Sequence, residues 1–287
     1  MVDNIDTINN NIDNIDDYDF LNLSYNQLSS LKFGEKLGGK RGITFESDPE
    51  KFNKLNKQLQ SEPSLKKHKI INENPLKIKI NEKNKQHFDF TICLDLIECL
   101  NGIGETREML HNALRLTNKF IFISQPNYDS DVNLFKNGFK TYYSDWSRHT
   151  NHLTSNLYFN LLFDFYKKGF IEDYMIFYTT PIKNSTDPII HPLNSPKNQP
   201  NFNDDKHPTK NERVKFKNIY RNLNVIITIH GCKDIDEIYK SINGEKSIIY
   251  DSRQGIFNNL TETFIDKQRD DHKGIIGKMN EFLNSDA

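Results

Sequence analysis

From residue 18 to residue 179, short apolar runs alternate with segments of helical period, and this rhythm restricts the chain more than any other feature. Residues 20–23, 42–45, 69–71, 88–94, 120–124 and 174–179 read as strands. The run FDFTICL at 88–94 has no polar alternation, as expected of a strand covered on both faces. Between the strands, Asp48 and Pro49 read as the N-cap and first residue of a helix. Phe52, Leu55 and Leu59 follow at helical spacing, and Pro63 stops the run. Residues 105–116 present Met109, Leu110, Ala113, Leu114 and Leu116 as one helix face. Residues 155–166 present Leu157, Leu161, Leu162 and Phe165, with Gly169 as C-cap. Strands joined by helices at this spacing predict βαβ units. The expected fold is α/β, a doubly wound, mainly parallel (Rossmann-like) sheet with helices on both faces.

Flanking segments break the rhythm. Residues 1–17 repeat Asp, Asn and Ile and read as a flexible lead-in. Residues 180–212 carry prolines at 181, 188, 192, 196, 200 and 208. They read as an ordered excursion over the surface or the site mouth, with a disordered linker as the alternative. Residues 213–287 read as a C-terminal α/β extension and a candidate to complete the sheet. It holds a strand at 225–229, a helix around 235–242, a strand at 248–250 and a polar helix from Asn258 onward.

Charge narrows the partners. With 38 Lys and Arg against 39 Asp and Glu, no general attraction to nucleic acid or to an anionic membrane is expected. Cys93, Cys99 and Cys232 show no CxxC spacing, so neither a zinc site nor a disulfide framework is expected. No leader pattern opens the sequence, and no apolar window reaches about 18 residues. A soluble, reducing, cytoplasmic setting follows as the expectation.

Nucleotide-like cofactors bind outside the carboxyl ends of parallel strands, where the strand order reverses. Here the first strand leads into Ser24-Tyr25-Asn26-Gln27-Leu28, and Glu46 closes the second. Five segments follow in order: GITFESDPE at 42–50, IINENPL at 70–76, FDFTICLDLIECL at 88–100, Arg115-Leu116, and FIFISQPN at 120–127. Together they resemble the class I S-adenosylmethionine-dependent methyltransferases of the UbiE/UbiG-like type over residues 18–179. The resemblance implies S-adenosylmethionine as cofactor, Glu46 on its ribose, and Glu73 with Asn74 near its adenine. It places Asn22, Ser24 and Asn26 in the turn that cradles it. In that family the turn is glycine-rich, because backbone must approach the cofactor closely. Here Ser24, Asn26 and Leu28 stand at the glycine positions and Asn22 where an acid is usual, so the loop is degenerate. Asn26 tolerates left-handed φ. The turn is either rebuilt with another geometry or no longer holds cofactor, and residue types leave both open. Glu46 also reads as a helix-capping carboxylate, and Glu73 beside Asn74 as turn chemistry.

On the acceptor side, residues 142–154 gather the only Trp, two Tyr and two His before a helix. Tyr143, Trp146 and Arg148 are candidates to bind substrate, and His149 or His152 to act as general base. The two His also read as capping or exposed groups, or as a metal pair lacking a third ligand, so no metal is expected. Arg148 either orients an acidic substrate or pairs with Asp145. His191 lies in a proline-stiffened loop with Asp187 and Asn198, a second candidate for substrate contact or an ordinary surface crossing. The function these residues imply is methyl transfer to a small polar acceptor, such as a sugar hydroxyl or a nucleotide-linked glycan. The alternative is a catalytically inactive methyltransferase-like binding or scaffold protein. A dinucleotide or nucleotide-sugar enzyme lacks support, because neither GxGxxG nor a P-loop is present.

Overall fold

The computed structural model describes residues 17–77, 86–210, 213–229, 231–232, 235–254 and 256–257. The lead-in before residue 17 and the polar helix expected from Asn258 lie outside them.

In chain order the first half holds β1 (Phe20–Asn22), α1 (Gln27–Lys36), β2 (Gly42–Phe45), α2 (Pro49–Ser61), β3 (Lys69–Ile71), β4 (Phe88–Leu94), α3 (Ile103–Leu116) and β5 (Thr117–Pro126). There follow α4 (Asp131–Lys136), β6 (Phe139–Thr141), α5 (Ser155–Lys167), β7 (Asp173–Pro181), β8 (Ile190–Pro192), β9 (Tyr220–Thr228), α6 (Ile235–Ser241), β10 (Lys246–Asp251) and β11 (Ile256–Phe257). No described helix is long and apolar enough to cross a membrane.

Nine strands form one sheet in the order β11-β10-β7-β9-β5-β4-β1-β2-β3. The five from β3 to β5 pair in parallel, and the order reverses at β1, which lies between β2 and β4. Ligands are expected at the carboxyl side of that reversal. β9 runs antiparallel to both β5 and β7 and lies between them. The sheet is therefore not complete at residue 179, because a strand from beyond the proline-rich segment occupies its middle.

Helices cover both faces. On one face α3 and α5 bury Met109, Leu110, Leu161 and Phe165 against Ile121, Ile123 and Val225. On the other, Leu31, Leu59, Ile235 and Ile238 pack against Phe90, Phe122 and Ile226. Across that second face Phe20, Phe90 and Phe120 stack with ring centroids 5.1 and 4.8 Å apart. Phe20 has no exposed surface, and its ring fits only because three neighbours lack side chains. A Cβ at Gly34, Gly39 or Gly42 would stand 2.3, 2.4 or 2.3 Å from a ring carbon. Glycines around β1 thus serve core packing.

α2 follows the expected rules, since the Asp48 carboxylate accepts from the Glu50 and Lys51 amides and Pro49 opens the helix. α5 ends as expected at Gly169, whose φ of +72° suits glycine. A third cluster lies under residues 181–219, where Ile182, Ile189, Ile190 and Ile219 pack on Tyr128, Leu134, Phe139 and Tyr143. β8 pairs antiparallel with β6 there.

Candidate functional site

The turn after β1 is closed by side chains. Asn22 is fully buried, and its Nδ2 donates to the Gln27 carbonyl at 3.0 Å and to Thr44 Oγ1 at 3.1 Å. Its Oδ1 accepts from the Ser24 amide at 3.1 Å. Ser24 Oγ accepts from the Leu94 amide at 2.8 Å, and the Tyr25 amide donates to the Leu94 carbonyl at 3.0 Å. The turn is thereby fastened to the end of β4. No residue between 22 and 28 has positive φ; Asn26 sits at φ −100°, so its left-handed tolerance is unused. Leu28 packs against the core on the α1 face. Side-chain hydrogen bonds, and no left-handed backbone, hold the turn between residues 22 and 28.

Glu46 follows β2. Its Oε2 accepts from Gln27 Nε2 at 3.0 Å and its Oε1 from the Asp48 amide at 2.9 Å. The carboxylate thus joins the turn to the start of α2. It also lines a cleft of about 380 Å³ together with Tyr25, Asn26, Gln27, Lys51 and Lys54. α1 opens on this cleft, and Asn26 makes no side-chain cap bond to it. Glu73 and Asn74 do not line the cleft. Asn74 Oδ1 accepts from the Leu76 amide at 2.9 Å, which is turn chemistry.

A second cavity, of about 440 Å³, lies beside the first, and Tyr25 lines both. One wall is the segment after β4, where Asp95 takes a φ of +53° and a 3-10 turn spans Ile97–Cys99. Asn151 stitches this turn to the acceptor segment: its Nδ2 donates to the Ile97 carbonyl at 3.0 Å and its amide to the Glu98 carbonyl at 3.1 Å. Tyr143, Trp146, Arg148 and His149 line the other wall. Tyr143 is anchored by its hydroxyl, which donates to the Arg221 carbonyl at 3.1 Å.

The electrostatics of this cavity are unusual. Glu98 is 1% exposed and its Oε2 has no hydrogen-bond partner. Burial, and then the nearby Asp95, push its carboxyl up to about 8, so it is neutral at pH 7. Burial also raises Asp95, and it pushes the Cys99 thiol up to about 12. It lowers the pKa of His149, which is therefore a neutral imidazole near pH 7. His149 Nδ1 lies 3.3 Å from the Tyr143 carbonyl, which leaves its other nitrogen free to take a proton. Donor atoms of Glu98, Cys99 and His149 lie within 4.8 Å of one another, so these three could hold a metal ion.

The structure separates the other candidates. His152 is exposed, stacks on Tyr128 at 4.1 Å and does not line the cavity, so the spacing of His149 and His152 does not make a metal pair. Asp145 pairs with Lys140, while Arg148 Nη1 donates to the Tyr25 hydroxyl at 3.0 Å. His191 is buried behind Tyr142, with Nε2 3.1 Å from the Pro188 carbonyl, and does not line the cavity. Burial and then His207 push its pKa down to about 4. Sequence reading missed Glu98, Asp95, Tyr25, Arg221 and Asn222. Glu98 had a signal, an acid inside an otherwise apolar stretch; Arg221 and Asn222 come from β9 and had none.

No family model matches the sequence, and no curated protein does. Solved structures similar to it include the YcgJ protein from Bacillus subtilis, at 8% identity over 74% of this chain and 92% of that one, with a TM-score of 0.48. A SAM-dependent methyltransferase from Methanosarcina mazei matches at 11% identity over 79% of this chain and 99% of that one, with a TM-score of 0.44. The CcbJ methyltransferase from Streptomyces caelestis matches at 18% identity over 40% of this chain and 45% of its own length, with a TM-score of 0.34. At such identities and scores, the assignment of chemistry rests on the site itself.

Proposed function

We propose that this protein is an S-adenosylmethionine-dependent methyltransferase acting on a hydroxyl of a small polar acceptor, most simply a sugar hydroxyl. The observation that carries this reading is the adjacency of two cavities at the carboxyl end of the parallel strands, with Tyr25 common to both. One has the features of a cofactor cleft: an acid after β2, an uncapped helix N-terminus and a turn fastened to β4. Glu46 accepts two hydrogen bonds within the protein, and a carboxylate has about four acceptor sites, so capacity remains for ribose hydroxyls. The antiparallel β9 argues against a dinucleotide, which uses a second parallel half.

When bound, the cofactor would supply an electrophilic methyl group on a sulfonium, with the neutral thioether as leaving group. The protein holds the acceptor between Tyr142, Trp146 and the turn after β4. His149 takes the hydroxyl proton, and the neutral Glu98 carboxyl donates a hydrogen bond to the acceptor. A second reading is favoured by the clustering of Glu98, Cys99 and His149. Mixed oxygen, sulfur and nitrogen donors suit a zinc-like cation, which would acidify the hydroxyl in place of a base. Activity that is lost with chelator and restored by metal selects the second reading, and chelator-insensitive activity selects the first.

The test of function is thermal shift with the demethylated product of the cofactor, followed by transfer of labelled methyl to a panel of sugars. Ligand at 100-fold its dissociation constant should stabilise the fold by about 2.7 kcal/mol. No shift at millimolar ligand would support the inactive binding or scaffold reading instead.

A further inference from the structure

We infer that the acceptor carries an anionic group, a phosphate or a carboxylate, held by Arg148 and Arg221 in the cavity beside the cofactor cleft. This rests on the methyltransferase reading for the word acceptor, but the anion site stands on its own geometry. Both arginines line the 440 Å³ cavity, which is large enough for a phosphorylated or carboxylated sugar. They come from distant parts of the chain, Arg148 from the segment after β6 and Arg221 from β9, and converge there.

Neither guanidinium is fully used by the protein. Arg148 forms no ion pair among the described residues, and its recorded polar contact is the donation from Nη1 to the Tyr25 hydroxyl. Arg221 pairs through Nη2 with Asp187 at 3.2 Å, yet its Nε is buried without an acceptor. The Arg221 side chain is nonetheless 40% exposed, so its pairing with Asp187 does not bury it. A planar fork of donors matches the oxygens of a phosphate or carboxylate and forms charge-assisted bonds with them. The acids of the cavity, Asp95 and Glu98, both come from the segment after β4. The acids of the lining thus come from one segment, and the two arginines from two others. Because Arg148 is held by Tyr25, which also lines the cofactor cleft, an anion that draws Arg148 away changes both cavities together.

The only Trp in the sequence, Trp146, lines this cavity and reports its occupancy by fluorescence. The full chain is titrated with ribose 5-phosphate, glucuronate, inorganic phosphate and ribose, each with and without the demethylated cofactor product. Ribose 5-phosphate, glucuronate or both should bind at least about tenfold tighter than ribose, and the stronger of the two identifies the anion as phosphate or carboxylate. Inorganic phosphate should compete with the phosphorylated sugar. Arg148→Gln should remove that preference, and Arg148→Lys should keep part of it by retaining charge without the fork. Equal binding of ribose and both anionic sugars, or a preference unchanged in Arg148→Gln, overturns the inference. Anion binding without any response to the cofactor product would instead overturn the methyltransferase reading and leave the anion site intact.

Discussion

On the Glu46 side of the cleft, Asn22, Ser24, Gln27 and Glu46 form a closed set of hydrogen bonds with one another, with Thr44 and with β4. On the Glu98 side, a carboxyl oxygen and a guanidinium Nε are buried without partners, and the Tyr128 hydroxyl nearby is buried without one too. The first region is finished before any ligand arrives and costs little to hold in place. The second keeps donors and acceptors out of water unsatisfied, which natural proteins tolerate where a ligand completes them. The Glu46 side is therefore satisfied by the protein alone, whereas the Glu98 side keeps buried polar groups unsatisfied.

The largest expected effect is on the finished side. Asn22→Ala removes three hydrogen bonds and strands the buried Ser24 amide, so chemical denaturation should show a loss of about 3 kcal/mol. A loss below about 1 kcal/mol would mean that the turn does not depend on its side chains. Next, Glu46→Ala should weaken binding of the demethylated cofactor product by about 10- to 100-fold, the worth of hydrogen bonds to a charged group. Calorimetry showing unchanged affinity would remove Glu46 from the cofactor site.

The third tests the floor of the acceptor side. His191 has a folded pKa of about 4, below its ordinary 6.5. Between these values the unfolded chain binds more protons, so stability is present above about pH 6.5 and declines as pH falls towards 4. His191→Gln should flatten that decline without abolishing it, because His68 and His149 are also lowered by burial. An identical pH profile for the variant would place His191 in contact with water. The last test is at Glu98. Its carboxyl is ionised at pH 7 in the unfolded chain but held neutral in the fold, so Glu98→Gln should raise stability there by about 1–3 kcal/mol while suppressing methyl transfer. A large loss of stability at pH 7 would show that the acid is ionised and paired, and would end the contrast between the two sides.

Much of this was legible in the sequence, and the exceptions have physical causes. α2 announced itself through Asp48, Pro49 and a clean apolar stripe, and β4 through an unbroken apolar run. α1 did not, because its buried face is made of Gln27, Ser30, Leu31 and Gly34, which carry little hydrophobic signal. The 225–229 run was visible as a strand, but its place between β5 and β7 depends on pairing across the whole chain, which no local pattern encodes. In the site, the sequence brought His149 and Glu46 forward on position alone. It could not separate His149 from His152, since the turn that carries one inward and leaves the other stacked on Tyr128 spans only a few residues. The state of Glu98 was beyond reach, because its cause is burial by residues far away in sequence.

The position of β9 also sets a timetable for the chain during synthesis. Ile121 and Ile176 leave the ribosome long before Ile227 and Val225, the residues against which they finally pair. Until then β5 and β7 both lack the strand that joins them, and each has an open edge that carries Phe and Ile. At about 5–20 residues per second, the wait between β5 and β9 lasts on the order of 5–20 s. A nascent chain halted before residue 220 should be sticky and protease-sensitive, and should become resistant within a few residues of releasing β9. In the cell, the rate of elongation through the proline-rich segment, rather than the stability of the finished sheet, would then decide how much of this protein escapes aggregation.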